Sequence, residues 1–422
     1  MRPTVFCIAL CALWAGIASA QDVLAICSAT LVDAPAGEVH EGTTVIIRGE
    51  EIVAVGPDDH IAIPPDARVL DGRGRWVMPG LIEVHTHSLA RGEWVQALAL
   101  GVTTALLIAP AESLLTLGHW SARPSSRSPR LCITPGGFTG SFPEPFVHGI
   151  TLYRPASTDQ ARRDVEQLTR HGAASLKIWQ DDGSLWAGPT MRLPTLPPAI
   201  LRTIVRTAHD HRARVYGHAW RARDARSLLD AGVDGLIHTV ADSVLDSAVV
   251  QRFAARRLPT ATTIAGGLLW FFDRPTYARR VLADPRLLAS LPASSRAAVQ
   301  TRLIEDTSGA PSSDTTFAYT RRHLAAYRAT VARNARALLG AGAPLALGSD
   351  GPVGVATHLE MELMVEGGLT MAEVLTAATV GGARLLGVLD QLGTIAPGKR
   401  ADVVGLRANP WRTYETPAMS LR

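Results

Sequence analysis

The stretch Val77-Met-Pro-Gly-Leu-Ile-Glu-Val-His-Thr-His87 decides how this chain is read. Pro79 and Gly80 break the backbone, and an apolar run, Leu81 to Val84, then leads into His85-Thr-His87. In an extended strand, side chains two apart share a face. His85 and His87 therefore project together at the end of a strand that enters a core. Two neutral imidazoles on one face suit a borderline divalent cation such as zinc. A His-x-His pair also arises by chance, so the rest of the chain has to support it.

Working outward, 422 residues that are 47% hydrophobic and 19% charged give a globular chain with a sizeable core. The isoelectric point near 9.1 reflects an excess of only four positive charges, spread without a basic block. Nothing in that distribution calls for a nucleic-acid partner. Lys177 and Lys399 are the only lysines; every other basic side chain that is not histidine is arginine. Upstream, Arg2 precedes an uncharged run from Val5 to Ala20 that closes on Ala18-Ser-Ala20. This is the pattern of a cleaved signal peptide over 1–20, and the run is short for a membrane span. The expectation is export to the periplasm or medium, with no membrane attachment after cleavage. Cys7 and Cys11 would leave with that peptide. Cys27 and Cys132 remain, either as one disulfide or as two buried thiols.

Between residues 21 and 78, short alternating segments separated by Gly, Pro and Asp read as a small β module. From 79 to 386 the pattern changes. Short apolar runs (Ala105–Ile108, Leu131–Thr134, Leu176–Ile178, Val215–Tyr216, Gly235–Ile237, Thr260–Thr263, Leu345–Leu347) alternate with amphipathic stretches at Asp159–His171, Pro198–His211, Ala222–Ala231 and Arg321–Ala341. Repeated strand–helix alternation indicates a parallel α/β fold, and the length fits a (β/α)8 barrel. A doubly wound sheet is the alternative, but no Gly-rich phosphate or dinucleotide loop follows the first strand. Residues 268–320 exceed one connection and read as a lid-like or helical insertion. After 387, turn residues and short strands return, and this tail is expected to rejoin the N-terminal module.

The chemistry sits at the ends of the barrel strands: His85 and His87, Lys177 in Ser175-Leu-Lys-Ile-Trp179, His218 in Val215-Tyr-Gly-His218, His238 in Gly235-Leu-Ile-His238, and Asp350 in Leu345-Ala-Leu-Gly-Ser-Asp350. In a (β/α)8 barrel these ends converge on one mouth. Lys177 stands in an apolar run, where a charge is costly. It either reaches the rim, pairs with Asp181 or Asp182, or loses its proton. A neutral amine reacts with CO2, and the resulting carbamate is a two-oxygen ligand able to bridge two cations.

With these residues in place, the chain resembles the amidohydrolase superfamily, and more narrowly its imidazolonepropionase-like and Xaa-Pro dipeptidase-like branch with a carboxylated lysine. The matching stretches are Pro79–His87, Gly101–Thr104, Gly172–Lys177, Gly217–Ala219, Ala231–His238, Gly348–Asp350 and Leu392–Val404. The resemblance implies an imperfect (β/α)8 TIM barrel with a β-sandwich built from both termini. It implies two divalent metal ions, zinc by ligand type. His85, His87 and Asp350 would hold one, His218 and His238 the other, with the Lys177 carbamate between them. The two cations would depress the pKa of a shared water, and Asp350 would shuttle its proton to the leaving amine.

That implies an exported metal-dependent hydrolase of a carbon–nitrogen amide, with a dipeptide or N-acyl amino acid as its small-molecule substrate. A homo-oligomer is compatible. The same site would also support a lactone, phosphotriester or cyclic-amide hydrolase. A mononuclear deaminase normally lacks the bridging lysine, and a non-catalytic binding protein would not need Asp350 beside five ligand positions. Two departures from the family pattern concern the substrate. Pro135-Gly-Gly137 is followed by Phe138 where relatives carry His, although His148 is near in sequence, and Trp220 stands where relatives often have Tyr or His. Trp220, with Trp179 and Trp186, would form an aromatic wall; Arg221 or Arg223 would hold a substrate carboxylate; His148 and His358 are further candidate contacts.

Overall fold

The computed structural model describes residues 22–108, 128–141, 151–290, 296–297, 300–301, 303–305, 318–407, 409–411 and 419–421. The signal-peptide segment, His148 and the Thr307–Thr316 stretch lie outside these residues.

The amino-terminal strands β1 (Val23–Asp33), β2 (Glu38–Arg48), β3 (Glu51–Pro57), β4 (Arg68–Asp71) and β5 (Trp76–Pro79) form one sheet. β1 changes partner midway. Leu24–Cys27 pair with β4, and Thr30–Leu31 pair with β5. The change falls at Ser28, whose φ of +57° marks a bulge. Hydrogen bonding thus makes one seven-stranded sheet that bends at β1, with small apolar clusters around Ile26, Val45 and Ile52 and around Val23, Ala25 and Ile46.

The barrel follows as β6 (Leu81–Thr86), β7 (Val102–Ile108), β8 (Arg130–Thr134) with its continuation β9 (Gly137–Thr139), then a short β10 (Leu152–Tyr153), β11 (Ser175–Trp179), β12 (Arg214–His218), β13 (Gly235–Leu236), β14 (Thr260–Ala261) and β15 (Leu345–Ala346). Neighbours pair in parallel, in the order β6-β7-β8 and β9-β11-β12-β13-β14-β15. Two contacts join these sets. Thr134 and Ser175 hydroxyls meet at 2.6 Å between β8 and β11. Val84 N donates to Leu347 O at 2.9 Å and closes the ring. The barrel is imperfect because its last three strands keep only two ladder residues each.

Local sequence explains the helices around it. Thr158–Arg170 starts at Ser157, whose hydroxyl accepts Gln160 N, and buries Ala161, Val165 and Leu168 at helical spacing. Pro198–Asp210 has Pro in its first turn and buries Ile200, Leu201, Ile204, Val205 and Ala208. Each such aliphatic side chain contributes roughly 1.5–3 kcal/mol when fully buried. The 268–320 stretch is a helical excursion where described. A π-helical turn at Ala265–Trp270 leads to helices Arg274–Ala283 and Pro285–Ser290, and the chain returns in Ala318–Gly340.

The tail rejoins the first module. β16 (Val403–Leu406) runs antiparallel to β5, and β17 (Met419–Leu421) to β16. Asp402 ties this sheet to the barrel: its carbonyl accepts Gly80 N at 2.8 Å and its carboxylate meets Arg130 Nε at 3.2 Å. Lys399 donates to the carbonyls of Leu389 and Leu392, a structural role. Cys27 and Cys132 are free thiols, so of the two readings the structure takes the unpaired one. Among the described residues, no helix is long and apolar enough to cross a membrane.

Candidate metal centre

Five strand ends bring the six residues of the sequence constellation together; five of them are buried, and His87, its side chain 37% exposed, stands at the mouth. β6 delivers His85 and His87, whose ring centroids lie 5.3 Å apart. β11 delivers Lys177, which is 1% exposed. β12 ends in His218, and His238 follows β13; their rings are 4.2 Å apart, and His238 lies 4.8 Å from His85. Asp350 follows β15, with Oδ1 at 3.3 Å from Nε2 of both His85 and His87. Ligand atoms of His85, His238 and Asp350 all lie within 4.8 Å of one another.

The outer bonds of the rings fix which nitrogen faces inward. His85 Nδ1 sits 3.0 Å from Ile237 O, which can only accept, so Nδ1 carries the proton and Nε2 a lone pair. The Thr263 hydroxyl donates to Thr262 O and lies 2.8 Å from His238 Nδ1, so it accepts that proton and His238 Nε2 is likewise a lone pair. Both Nε2 atoms are buried without a hydrogen bond. Burial also holds His85, His218 and His238 well below the usual imidazole pKa, hence neutral. A neutral Nε2 facing a carboxylate oxygen at 3.3 Å sets two acceptors against each other. A divalent cation between them removes that conflict, and the donor set of imidazoles, carboxylate and lysine fits one.

Asp350 is held for this position. Its φ of +57° is a left-handed conformation that an aspartate adopts at a cost. Asp350 N donates to His85 O at 2.7 Å, which locks the β15 turn onto β6. Gly266, in the π-helical turn, donates its N–H to Ser349 O at 2.7 Å, and a β-carbon there would lie 2.2 Å from Asp350 C. Only glycine permits that approach. Burial pushes the Asp350 carboxyl up, but the groups facing it, with a hydrogen bond from His87 and the Lys177 amine among them, outweigh it and hold it at about 2. For Lys177, burial brings the ammonium down to about 7. It neither reaches the rim nor pairs with Asp182, which is engaged by Ser184 and Arg223.

Several supporting residues escaped the sequence reading. Glu83 is fully buried one turn of strand before His85. Its carboxylate accepts His85 N at 2.9 Å, Ser349 N at 2.8 Å and the Thr357 hydroxyl at 2.9 Å, so one side chain joins both halves of the first ligand set. Asp181, with its side chain fully buried, lies 3.4 Å from His218 Nε2 and accepts Gly183 N at 2.7 Å. A carboxylate this near would favour the proton at Nε2 and leave Nδ1 free to face a cation, the reverse of His85 and His238. Asp181→Asn is expected to weaken metal binding by about 10- to 100-fold. Metal titration of the stripped variant beside the parent checks this, and equal affinities would remove Asp181 from that role.

The expected substrate contacts fare unevenly. Trp220 is at the site: it is 2% exposed, with its ring 4.3 Å from His238. Trp186 lies edge-on to His218 at 6.0 Å, and Trp179 lies under Lys177 Nζ at 4.9 Å. The aromatic wall is built against the ligands themselves. His358 is a correction. Its Nε2 bonds Leu100 O at 2.7 Å, just before β7 begins, so it braces the barrel's other end. Arg221 and Arg223 both carry acidic partners. Arg221 is committed to Ser184, Asp182 and Asp242, and Arg223 to Asp182 and Asp224. His148 lies outside the described residues.

A buried His/Lys/Asp set at the C-terminal mouth of a (β/α)8 barrel defines a metal-dependent hydrolase. The chain belongs to the amidohydrolase family, whose model matches residues 76–418, and is with it an enzyme acting on carbon–nitrogen bonds. It is 26% identical to an imidazolonepropionase of Rubrobacter xylanophilus over 89% of this chain and 87% of the relative. A dihydroorotase of Anaeromyxobacter dehalogenans is 39% identical, over 20% of this chain and 19% of that protein. Among solved structures, a Bifidobacterium longum protein provisionally described as a prolidase superposes with a TM-score of 0.73 at 26% identity, covering 95% of this chain and 93% of that one. A Xaa-Pro dipeptidase with methionine in its active site gives 0.72 at 18% identity, covering 94% and 97%. Over most of its length the chain is thus similar to an imidazolonepropionase, and it shares its fold with the Xaa-Pro dipeptidase structure.

Proposed function

We propose that this chain is an exported hydrolase that holds two divalent cations and cleaves the C–N amide of a dipeptide or N-acyl amino acid. The observation that carries the reading is Lys177. It is a fully buried lysine among three neutral histidines and an ionised aspartate, and a carbamate formed on it would supply an anionic oxygen donor toward the bound cations. His85, His87 and Asp350 would hold one ion, His218 and His238 the other. Bound there, the ions supply Lewis acidity toward a carbonyl and lower the pKa of a bound water.

The chain's own residues do the rest. Asp350 is ionised, buried and oriented by its turn, so it accepts a proton at Oδ and returns it to the departing amine nitrogen. Glu83 keeps the His85 and Ser349 backbones in register while that proton moves. Trp186 and Trp220 press on His218 and His238 and keep the site dry, which strengthens every charge interaction inside it. Dipeptidase-type relatives support an amide substrate, and the Ala18-Ser-Ala20 pattern supports export. The imidazolonepropionase likeness over most of the chain supports a second reading, cyclic-amide hydrolysis at the same residues.

The test is a panel of dipeptides, N-acyl amino acids and cyclic amides offered to the purified, metal-loaded protein. Release of a free amine from a linear substrate is the expected result. Opening of cyclic amides alone would favour the second reading, and inertness toward the whole panel with metal bound would sink both.

A further inference from the structure

The metal centre takes the C-terminal ends of the strands, and the opposite end of the barrel carries a second concavity. A cleft of about 350 Å3 opens there, lined by His209, Arg214, Asp234, Arg256, Arg257 and Arg384 together with backbone of the adjoining turns. Arg214 begins β12, Asp234 immediately precedes β13, and Arg256 and Arg257 lie a few residues before β14. Arg384 is on the short helix Gly382–Leu386. Arg257 and Arg384 also line an adjoining cleft of about 460 Å3 beside the β1–β2 turn.

Four guanidinium groups meet one carboxylate in the first cleft, and that carboxylate is already engaged. Asp234 Oδ2 accepts Val215 N at 2.7 Å and lies 2.9 Å from His209 Nε2, while Arg214 reaches only Oδ1, at 4.0 Å. Several arginines elsewhere on the surface are closely paired. Arg73 and Asp71 meet at 2.7 Å, Arg162 and Asp159 at 2.9 Å, and Arg336 and Glu373 at 2.9 Å. Arg257 and Arg384 make no ion pair or side-chain hydrogen bond among the described residues, and Arg214 Nε is buried without an acceptor. Arg256 donates to Leu229 O in the last turn of helix Ala222–Ala231, a capping role, and Arg214 is held by Asp234 and the Tyr216 hydroxyl, which leaves Arg257 and Arg384 without a partner among the described residues.

Like charges gathered in a hollow repel, and a buried N–H without an acceptor is costly. An anion with several oxygens answers both, because the planar fork of arginine matches two oxygens at once. We propose that the base of the barrel binds a small, doubly charged oxyanion of the phosphate type through Arg214, Arg257 and Arg384. This site stands apart from the metal centre and does not depend on the reaction assigned there. Free phosphate and a phosphomonoester present the same chemistry to it.

Calorimetric titration of the full, metal-loaded protein with inorganic phosphate at constant ionic strength tests this, in the parent and in the double variant Arg257→Gln/Arg384→Gln. The expected result is saturable binding that the double variant weakens by about tenfold or more, with metal content unchanged. Arg257 is exposed, so Arg257→Gln alone provides a variant that leaves the core intact. Repeating the titration with glycerol 3-phosphate separates the sources: tighter binding assigns the site to a phosphomonoester, and equal or weaker binding to free phosphate. An identical isotherm in parent and double variant would place the anion elsewhere, on the metal centre for instance, and would overturn the proposal. So would the absence of saturable binding in the parent.

Discussion

Asp350→Asn is expected to lower turnover by about 10²- to 10⁴-fold while leaving most of the metal in place. The substitution keeps the shape and one carbonyl oxygen, so the contacts with Gly266 and the bond to His85 O survive. What it removes is the basic carboxylate. Asp350 is held at about 2 because the groups facing it, with a His87 hydrogen bond and the Lys177 amine among them, overcome the penalty of burial, so it is an anion throughout the neutral range. An amide in its place cannot accept the proton of the attacking water or return it to the leaving amine. Parallel measurement of kcat and of metal per chain separates chemistry from ligation. Unchanged turnover would remove Asp350 from proton transfer, and a collapse of both quantities together would recast it as a ligand alone.

Lys177→Ala is expected to abolish measurable turnover and to strip at least one metal ion. Alanine supplies no oxygen between the two histidine pairs and leaves His218 and His238 to hold an ion unaided. The same lysine sets a pH dependence in the parent. Its ammonium is brought down to about 7 by burial, and only the neutral amine takes up CO2. Lowering the pH through about 7 protonates it, so reloading of the stripped protein with metal should be efficient above that value and fall away below it. Reconstitution at a series of pH values with added bicarbonate checks the sign. Uptake that is flat from pH 6 to 9, or that improves toward acid, would mean the amine is not a precursor of the ligand.

The ligand set was legible because its chemistry is local. A His-x-His pair on a strand, a lysine inside an apolar run and an aspartate after Leu-Gly-Ser announce themselves by residue type and period. The barrel was legible for the same reason: alternating apolar runs and amphipathic stretches fall where β7, β8, β11 and β12 lie. The supporting shell was not, because it is made across the barrel. Glu83 and Ser349 are 266 residues apart, and the bond from His85 to Ile237 O spans 152. Glu83 did carry a signal, an acid inside an apolar strand, as did Asp181 four residues after Lys177. His358 shows the opposite error. Nearness to Asp350 in sequence suggested a substrate contact, but the helix Val355–Glu366 carries its side chain to Leu100 O. The partners of Arg221 were not legible either: sequence does not say which of several nearby aspartates an arginine will meet, and the fold sets it beside Asp182 and Asp242.

The most direct test of the central claim is the number of metal ions per chain in the protein purified without chelators, measured beside Lys177→Ala. The account expects two in the parent and one or none in the variant. One ion in both would show that Lys177 is not a ligand, and would contradict the two-ion centre on which the proposed reaction rests.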